Sequence, residues 1–339
     1  MPICAKVRKV DAERVRRELI GISALDFSYS PDRNGEYVYF PLKREIVGYK
    51  TVERELKKRE IPAHSLHDYL RVFLNEEELS LVSKSFDIIG DIAVIEIDDA
   101  LGEKKRIVAD ALMRMHRNIR VVARKTGPMG GIFRTRPLEI IAGENRTETL
   151  HRENGCVFKL DVASAYFSPR LSHERERIAS LVGENEKVFA LFAGVGPYPI
   201  LIAKRQPKTK IYAIELNPHA FRYLEQNIRL NGVGANVIPL LGDVGEVLPK
   251  IKEKPDRVLM PLPKGAENFL GAVLRCAKEG TVIHFYTFSG SEELFEKPLS
   301  LVKSTATKMG WNVEILYKKI VRPYAPHVFQ VVLDFRVFR

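Results

Sequence analysis

The fold class that the sequence predicts is α/β: a doubly wound, mostly parallel sheet in the C-terminal part of the chain, preceded by two smaller α+β modules. Three observations carry this. From about Tyr166 onward, apolar runs of strand length alternate with helical patterns, and buried parallel strands read as such continuous runs. One of these runs ends in a glycine turn that opens a helix, as strand-to-helix connections in such sheets do. The stretch before it mixes strand-like and helical segments without that alternation, and 339 residues with 45% hydrophobic content suffice for more than one core.

In chain order, residues 1–70 read as a small domain. Asp11 is placed to cap a helix running to about Ile20, Gly21 to stop it, and Tyr37 to Phe40 forms a strand. The charged run Glu53 to Glu60 reads as a solvated helix leading into a linker at Ile61-Pro62. Residues 71–163 form an α+β module, with strands at Ile92 to Ile97, Ile119 to Ala123 and Leu138 to Ile141 and a helix from Lys104 to Met115. Residues 164–339 hold the parallel sheet, with strands at Val188 to Phe192, Lys210 to Glu215, Val237 to Leu240, Arg257 to Met260 and Thr281 to Phe285. Two last strands, Asn312 to Ile320 and Val328 to Phe338, meet through the turn-rich Arg322 to Pro326 and pair as an antiparallel hairpin at the sheet edge.

Lys and Arg total 54 against 43 Asp and Glu, a formal net charge of +11, which favours a polyanionic partner. The bias is local as well as global. Between Asp110 and Glu139 there is no acidic residue, while Arg114, Arg117, Arg120, Arg124, Lys125, Arg134 and Arg136 are present. A merely soluble surface interleaves both signs, so this segment is read as RNA-binding. Cys4, Cys156 and Cys276 are far apart and have no His at ligand spacing, so neither a disulfide framework nor a metal site is expected. The start MPICAKVRKV lacks the apolar core of a signal peptide, and no apolar run has membrane-spanning length, so a cytoplasmic protein without membrane contact is expected.

The clearest chemical signal is FALFAGVGPYP, Phe189 to Pro199. An apolar strand runs through Phe192 and Ala193 into Gly194-Val195-Gly196, where the backbone must turn sharply and pass close to a ligand. Glu215 ends the next apolar strand, where a carboxylate can accept both ribose hydroxyl hydrogens. Asp243, after Gly242, ends the third and can accept from an adenine amino group, while Asn217-Pro218 can cap the following helix. An NAD site shares the first two features but carries a third glycine where Pro199 stands. A nicotinamide cofactor is therefore not expected, and the reading set against it is an S-adenosylmethionine site.

Together, FAGVGP, the I-E-L-N-P at Ile214 to Pro218, the N-x-x-L-N-G at Asn227 to Gly232, YFSPRLSHER at Tyr166 to Arg175 and YAPHVF near the C-terminus resemble the archaeal and eukaryotic tRNA (guanine-37-N1)-methyltransferases. The resemblance covers the last two-thirds of the chain, and YFSPRLSHER is its most specific element. It implies a class I, Rossmann-like methyltransferase domain with a seven-stranded sheet and a small N-terminal domain that touches the outer corner of tRNA; a monomer is expected. It further implies Glu174 as general base, Arg134 as the group that binds the guanine oxygen, and Tyr166 and Arg175 as lining of the cofactor and substrate pocket.

Chemistry supports the roles of Glu174 and Arg134 independently. Guanine N1 carries a proton at neutral pH, so methylating it needs a base, and the negative charge that builds on O6 calls for a cation. Ser172 is placed to cap a helix with Glu174 in its first turn.

The sequence departs from the family pattern at two places. Ala190 stands where the family has an Asp, and Met260-Pro261-Leu262-Pro263-Lys264 has Pro261 where the family motif begins with Asn. Pro261 and Pro263 therefore line a less polar pocket. The resemblance associates such a changed motif with an archaeal branch that also methylates carbon 7 of 4-demethylwyosine in tRNA-Phe, and this chain is expected to have both activities. The alternatives are a catalytically altered domain kept as a tRNA-binding scaffold, and methylation of another RNA nucleotide.

Overall fold

Two units make up the fold in a computed structural model, which describes residues 1–22, 24–58 and 65–339: Met1–Pro128 with Pro137–Arg146, and Met129–Arg136 with Thr147–Arg339.

The first unit begins with β1 (Ile3–Arg8), α1 (Ala12–Gly21), β2 (Asp32–Asn34), β3 (Tyr37–Pro41) and β4 (Thr51–Glu53), whose strands form an antiparallel sheet in the order β2-β3-β1-β4. Asp11 precedes α1 but its side chain caps nothing. A 3-10 turn over Lys9–Asp11 gives it helical backbone angles, and its carboxylate pairs with Arg14 at 3.2 Å. The charged run expected as a helix instead closes β4 at Glu53, and no helix forms over 54–58. The end of that run and the Ile61-Pro62 linker lie outside the described residues.

The unit continues with α2 (Leu66–Leu70), α3 (Glu76–Ser80), β5 (Val82–Ile89), β6 (Ile92–Ile97), α4 (Lys105–Met115), β7 (Val121–Lys125) and β8 (Leu138–Gly143), giving a second sheet in the order β5-β6-β7-β8. Only β6 and β7 run parallel, and α4 is the crossover that a parallel pair requires. It buries Ile107, Val108, Ala111 and Leu112. One apolar cluster runs from Ala5, Leu19 and Phe40 through Leu70 to Ile95, Leu112 and Val122, so residues on both sides of position 70 share a core.

The second unit opens with the hairpin β9 (Glu148–Glu153) and β10 (Cys156–Asp161), followed by α5 (Ser172–Leu181), β11 (Lys187–Leu191), α6 (Pro197–Arg205), β12 (Lys210–Glu215), α7 (Pro218–Leu230), β13 (Val237–Leu241) and α8 (Val244–Val247). It ends with β14 (Arg257–Met260), α9 (Leu270–Cys276), β15 (Val282–Gly290), α10 (Glu296–Lys308), β16 (Asn312–Ala325) and β17 (Val328–Phe338). The seven strands β11 to β17 form one sheet in the order β13-β12-β11-β14-β15-β17-β16; the first five are parallel, and β17 and β16 are the expected antiparallel edge. Its core includes Phe189, Ile214, Val258, Phe285, Val302 and Phe335.

The turn expected over Arg322 to Pro326 is tighter than the composition suggested, because β16 runs on to Ala325. Pro323 is tolerated there because β16 is the edge strand, and the pairing with β17 slips between Pro323 and Ala325. Among the described residues no helix is long and apolar enough to cross a membrane, and no group of His, Cys, Asp and Glu has the arrangement of a metal site.

Candidate functional site

The glycine turn forms where β11 hands over to α6. Phe192, Gly194 and Gly196 all take positive φ, at 55°, 57° and 94°. The two glycines are needed for different reasons. A Cβ on Gly196 would stand 2.6 Å from Leu224 Cδ1 and 2.8 Å from Ile200 Cδ1, so that glycine lets α6 and α7 pack. At Gly194 the nearest atom to such a Cβ is the Tyr166 carbonyl oxygen at 3.8 Å, so the space above this residue is open. Phe192 turns its ring edge-on to Phe269, with centroids 5.1 Å apart, and Ala193 is buried, so both serve the turn through their backbone.

Glu215, at the end of β12, holds this turn. Its carboxylate accepts the Gly194 N–H at 2.6 Å on one oxygen and the Asn217 N–H at 2.7 Å on the other. Burial raises its pKa above the ordinary carboxylate value, and the N–H groups of Asn217, Gly194 and Leu216 act against that. A carboxylate has about four acceptor sites, more than these N–H groups fill, and ribose hydroxyls need such an acceptor. An open backbone turn with such a carboxylate beside it fits a nucleoside whose hydroxyls face Glu215. Asp243 stands at the N-cap of α8, accepting the Gly245 N–H at 2.7 Å. Asn217 is committed to structure: its Oδ1 caps α7 through His219 N–H, and its Nδ2 donates to the Ser164 carbonyl.

The motif Asn227 to Gly232 is a clasp. Asn227 accepts Lys159 N–H and donates to the carbonyls of Lys159 and Val195; Asn231, one helical turn on, exchanges both hydrogen bonds with Val157. The β10 strand is thereby tied to α7 and to the glycine turn.

The segment 166–175 passes over that turn. Tyr166 is 37% exposed and its hydroxyl accepts from Arg322 Nη2 at 3.1 Å. Arg175, expected in the pocket, is 2% exposed. Its guanidinium reaches Glu153 at 2.5 Å and the Ser168 carbonyl at 2.8 Å and lies over the Phe167 ring, so it braces the segment. Ser172 does not cap α5: it is the first helical residue, and the N-cap position falls on Leu171.

Glu174 does lie in the first turn of α5, and it is turned inward at 5% exposure. Its Oε1 accepts from Tyr286 at 2.6 Å and from Arg177 at 2.6 Å, and its Oε2 accepts Arg177 Nε–H at 3.0 Å. Burial pushes the Tyr286 phenol well above its ordinary pKa, so it donates. Arg177 continues to Asp334 at 2.6 Å, Asp334 to His284 Nδ1 at 2.7 Å, and His284 Nε2 accepts from Arg257, which pairs with Glu186. Spacing of three residues on a helix could have indicated the Glu174–Arg177 pair; no local signal pointed to Tyr286, His284 or Asp334.

Arg134 joins this unit from far away in sequence. The loop 129–136, pinned by a bridge between Gly130 and Thr135, belongs to the unit of residues 147–339, and Arg134 donates to the Lys264 carbonyl. Its φ of 53° is unusual for a residue with a side chain. Burial lowers its pKa from the ordinary value, while Tyr166, Tyr324 and Glu267 are near enough to oppose that. Pro261 and Pro263 lie half-buried beside this contact, and the Pro263 carbonyl accepts from Phe288 N–H at 3.0 Å. Arg136 is half-buried in the same unit.

The rest of the basic segment divides in two. Arg124 is 6% exposed and held by Asp99, by Glu139 at 2.7 Å and by the Ile97 carbonyl, and Arg114 by Asp26 at 3.0 Å and by Ser28. Both are structural ion pairs, a correction to their reading as RNA contacts: the acidic partners missing from the linear stretch come from neighbouring strands and loops. Arg117 and Arg120 are exposed, and Lys125 is half-buried.

Models of known families match the whole layout: the tRNA methyltransferase 5 N-terminal domain over residues 4–50, the TYW2 N-terminal domain over 66–147 and the TRM5/TYW2 methyltransferase domain over 149–316. The chain is 42% identical over 337 residues, 99% of each protein, to the tRNA (guanine(37)-N(1))-methyltransferase Trm5b of Pyrococcus abyssi. Over 64% of this chain and 88% of the other it is 35% identical to the tRNA (guanine(37)-N(1))/4-demethylwyosine(37)-methyltransferase Taw22 of Nanoarchaeum equitans. The crystal structure of Pyrococcus abyssi Trm5b superposes with a TM-score of 0.74 over 100% of both chains. A complex of aTrm5 with tRNALeu superposes at 0.72, with 35% identity over 99% of each chain. The TYW2 of Methanocaldococcus jannaschii in complex with AdoMet superposes at 0.59, with 30% identity over 75% of this chain and 100% of that one.

Proposed function

This chain belongs to the TRM5/TYW2 family of tRNA-modifying transferases, and from that premise we propose that it transfers the methyl group of S-adenosylmethionine to N1 of guanine 37 in tRNA. The observation that carries the reading is the meeting, in one unit, of the Glu215-held glycine turn with Arg134 at the Pro261–Lys264 segment. S-adenosylmethionine, when bound, supplies an electrophilic methyl group. Gly194, Glu215 and Asp243 would hold it, with Phe192, Ala193 and Gly196 shaping the turn.

Arg134 gives one N–H to Lys264 and has four others, in a planar fork, to offer the guanine O6 as negative charge builds there. Glu174 takes the N1 proton on Oε2, where one lone pair is left beside the Arg177 contact; Arg177 and Tyr286 orient it. Arg117, Arg120 and Arg136 supply charge for the RNA backbone. The N-terminal residues 1–70 contact the tRNA body.

The test is methyl transfer from labelled donor to a full-length tRNA and to its anticodon stem-loop, with Glu174→Gln beside the unaltered protein. The variant is expected to lose transfer near neutral pH and to recover part of it as pH rises and the guanine deprotonates unaided. A structural role alone would lower thermal stability without that pH rescue. No transfer to guanine 37 by the unaltered protein would remove the proposal.

Pro261 favours a second methylation, at carbon 7 of 4-demethylwyosine in tRNA-Phe. A proline offers an apolar, amide-free wall to a tricyclic base. Mass spectrometry of tRNA-Phe carrying the tricycle decides it: a single added methyl supports the second activity, and an unchanged mass removes it.

A further inference from the structure

Tyr324 is the extra residue of a bulge. Pro323 pairs with Phe329 and Ala325 with Val328, so two residues of β16 oppose one step of β17 and Tyr324 has no partner in the ladder. Bulges of this kind re-aim a side chain, and they gather at sheet edges beside active sites. Tyr324 is re-aimed onto Phe288 of β15: the ring centroids lie 4.0 Å apart with the planes inclined by 32°. Phe288 is itself fixed, because its N–H donates to the Pro263 carbonyl in the segment that receives Arg134. With one ring face against Phe288, Tyr324 is still 60% exposed, so its other face is open.

The surroundings are cationic and belong to the candidate site. Two residues before Tyr324, Arg322 donates to the Tyr166 hydroxyl and to Ser168, and the Tyr324 phenol is close enough to Arg134 to act on its charge. An aromatic face held rigid by a second ring, half-open to solvent and flanked by guanidinium groups, matches the way unpaired bases of RNA loops are bound. Such bases are splayed out and stacked on aromatic side chains, while cations track the phosphates.

We propose that the open face of Tyr324, backed by Phe288, is a stacking site for an unpaired nucleobase of the RNA, next to the base that Arg134 receives. The inference rests on the RNA-methylation reading above for the identity of its ligand. It adds a subsite that takes a base by its π-face, which makes it tolerant of that base's identity.

The experiment uses the full chain, an anticodon stem-loop with 2-aminopurine in place of each base flanking the target guanine, and the variants Tyr324→Ala and Tyr324→Phe. The unaltered protein and Tyr324→Phe are expected to quench the fluorescence at one flanking position. Tyr324→Ala is expected to lose that quenching and to bind the stem-loop about tenfold more weakly, the scale of one base stack removed. Donor affinity measured by calorimetry should be unchanged in both variants; should Tyr324→Ala fail to fold, Tyr324→Leu is read in its place.

Equal quenching and affinity in the alanine variant would overturn the stacking site and leave the methylation reading intact. Quenching that depends on Tyr324, without methyl transfer to guanine, would overturn that reading and leave the stacking site. No binding of the stem-loop by the unaltered protein would overturn both.

Discussion

Arg134 donates a hydrogen bond to the main-chain carbonyl of Lys264, 130 positions further along the chain. The contact fixes a guanidinium beside the Pro261–Lys264 segment through a backbone atom, so its position does not depend on the identity of the side chain at 264. It also explains why the loop 129–136 belongs with residues 147–339, although the residues on both sides of it belong to the first unit.

Removing this guanidinium should act on the chemistry and spare the donor. Arg134→Ala is expected to lower kcat/KM for tRNA by about a hundredfold or more, as the loss of one oxyanion donor does, with S-adenosylmethionine affinity unchanged. Arg134→Lys should recover little, because a single ammonium cannot hold Lys264 and reach the base together. Single-turnover rates and donor calorimetry on the two variants check this; a parallel loss of donor affinity would place Arg134 in the donor pocket instead.

Glu215→Gln should do the reverse. The amide retains only one acceptor oxygen, so either the Gly194 and Asn217 N–H groups or the ribose hydroxyls lose a partner. Hydrogen bonds to charged groups contribute about 1.5–3 kcal/mol, so donor affinity is expected to weaken by roughly ten- to a hundredfold. Titration calorimetry reads this directly, and an unchanged dissociation constant would mean that the carboxylate serves the turn alone.

Acid should loosen the second unit at two places in one network. Burial lowers the pKa of His284 from its ordinary value of 6.5. At Asp334 burial would raise it, but the His284 N–H and the Arg177 guanidinium prevail and hold it below 3.8. Both folded-state values are depressed, so the unfolded chain binds more protons at low pH; the stabilisation is full above 6.5 and is lost as pH falls, first through His284 and then through Asp334. The melting temperature should therefore drop from pH 6.5 downward. His284→Gln, which keeps a donor and an acceptor, should flatten the first part of that drop, and an unaltered slope in that variant would show that His284 does not titrate there.

The basic segment should separate by salt dependence. Arg124→Ala removes a buried guanidinium whose partners Asp99 and Glu139 remain in contact with solvent, so it is expected to cost about 1–2 kcal/mol of stability through lost packing and hydrogen bonds, with little effect on the salt slope of tRNA binding. Arg117→Ala and Arg120→Ala leave stability nearly unchanged; the slope of log affinity against log salt should fall by about one for each phosphate that is no longer neutralised. Denaturant melts and binding titrations at several salt concentrations distinguish the two groups.

Much of this protein was readable without coordinates because its signals are local. The alternation of apolar strands with helices determined the order of β11 to β15 in the chain and the parallel part of the sheet that they build, since a buried strand needs only its own run of side chains to declare itself. The glycine turn, Glu215 and Asp243 were legible for the same reason: each sits at a strand end that the sequence itself marks. Tertiary structure alone decided the partners. Nothing in the linear order says that Arg124 meets Asp99 and Glu139, that Arg175 closes on Glu153, that Tyr286 donates to Glu174, or that Arg134 reaches Lys264. A charge pays a large desolvation cost on burial unless it finds its opposite, and that opposite is supplied by whichever strand the fold brings alongside. Residue type and spacing therefore announced where a ligand could sit, while the fold decided which charges remain available to meet it.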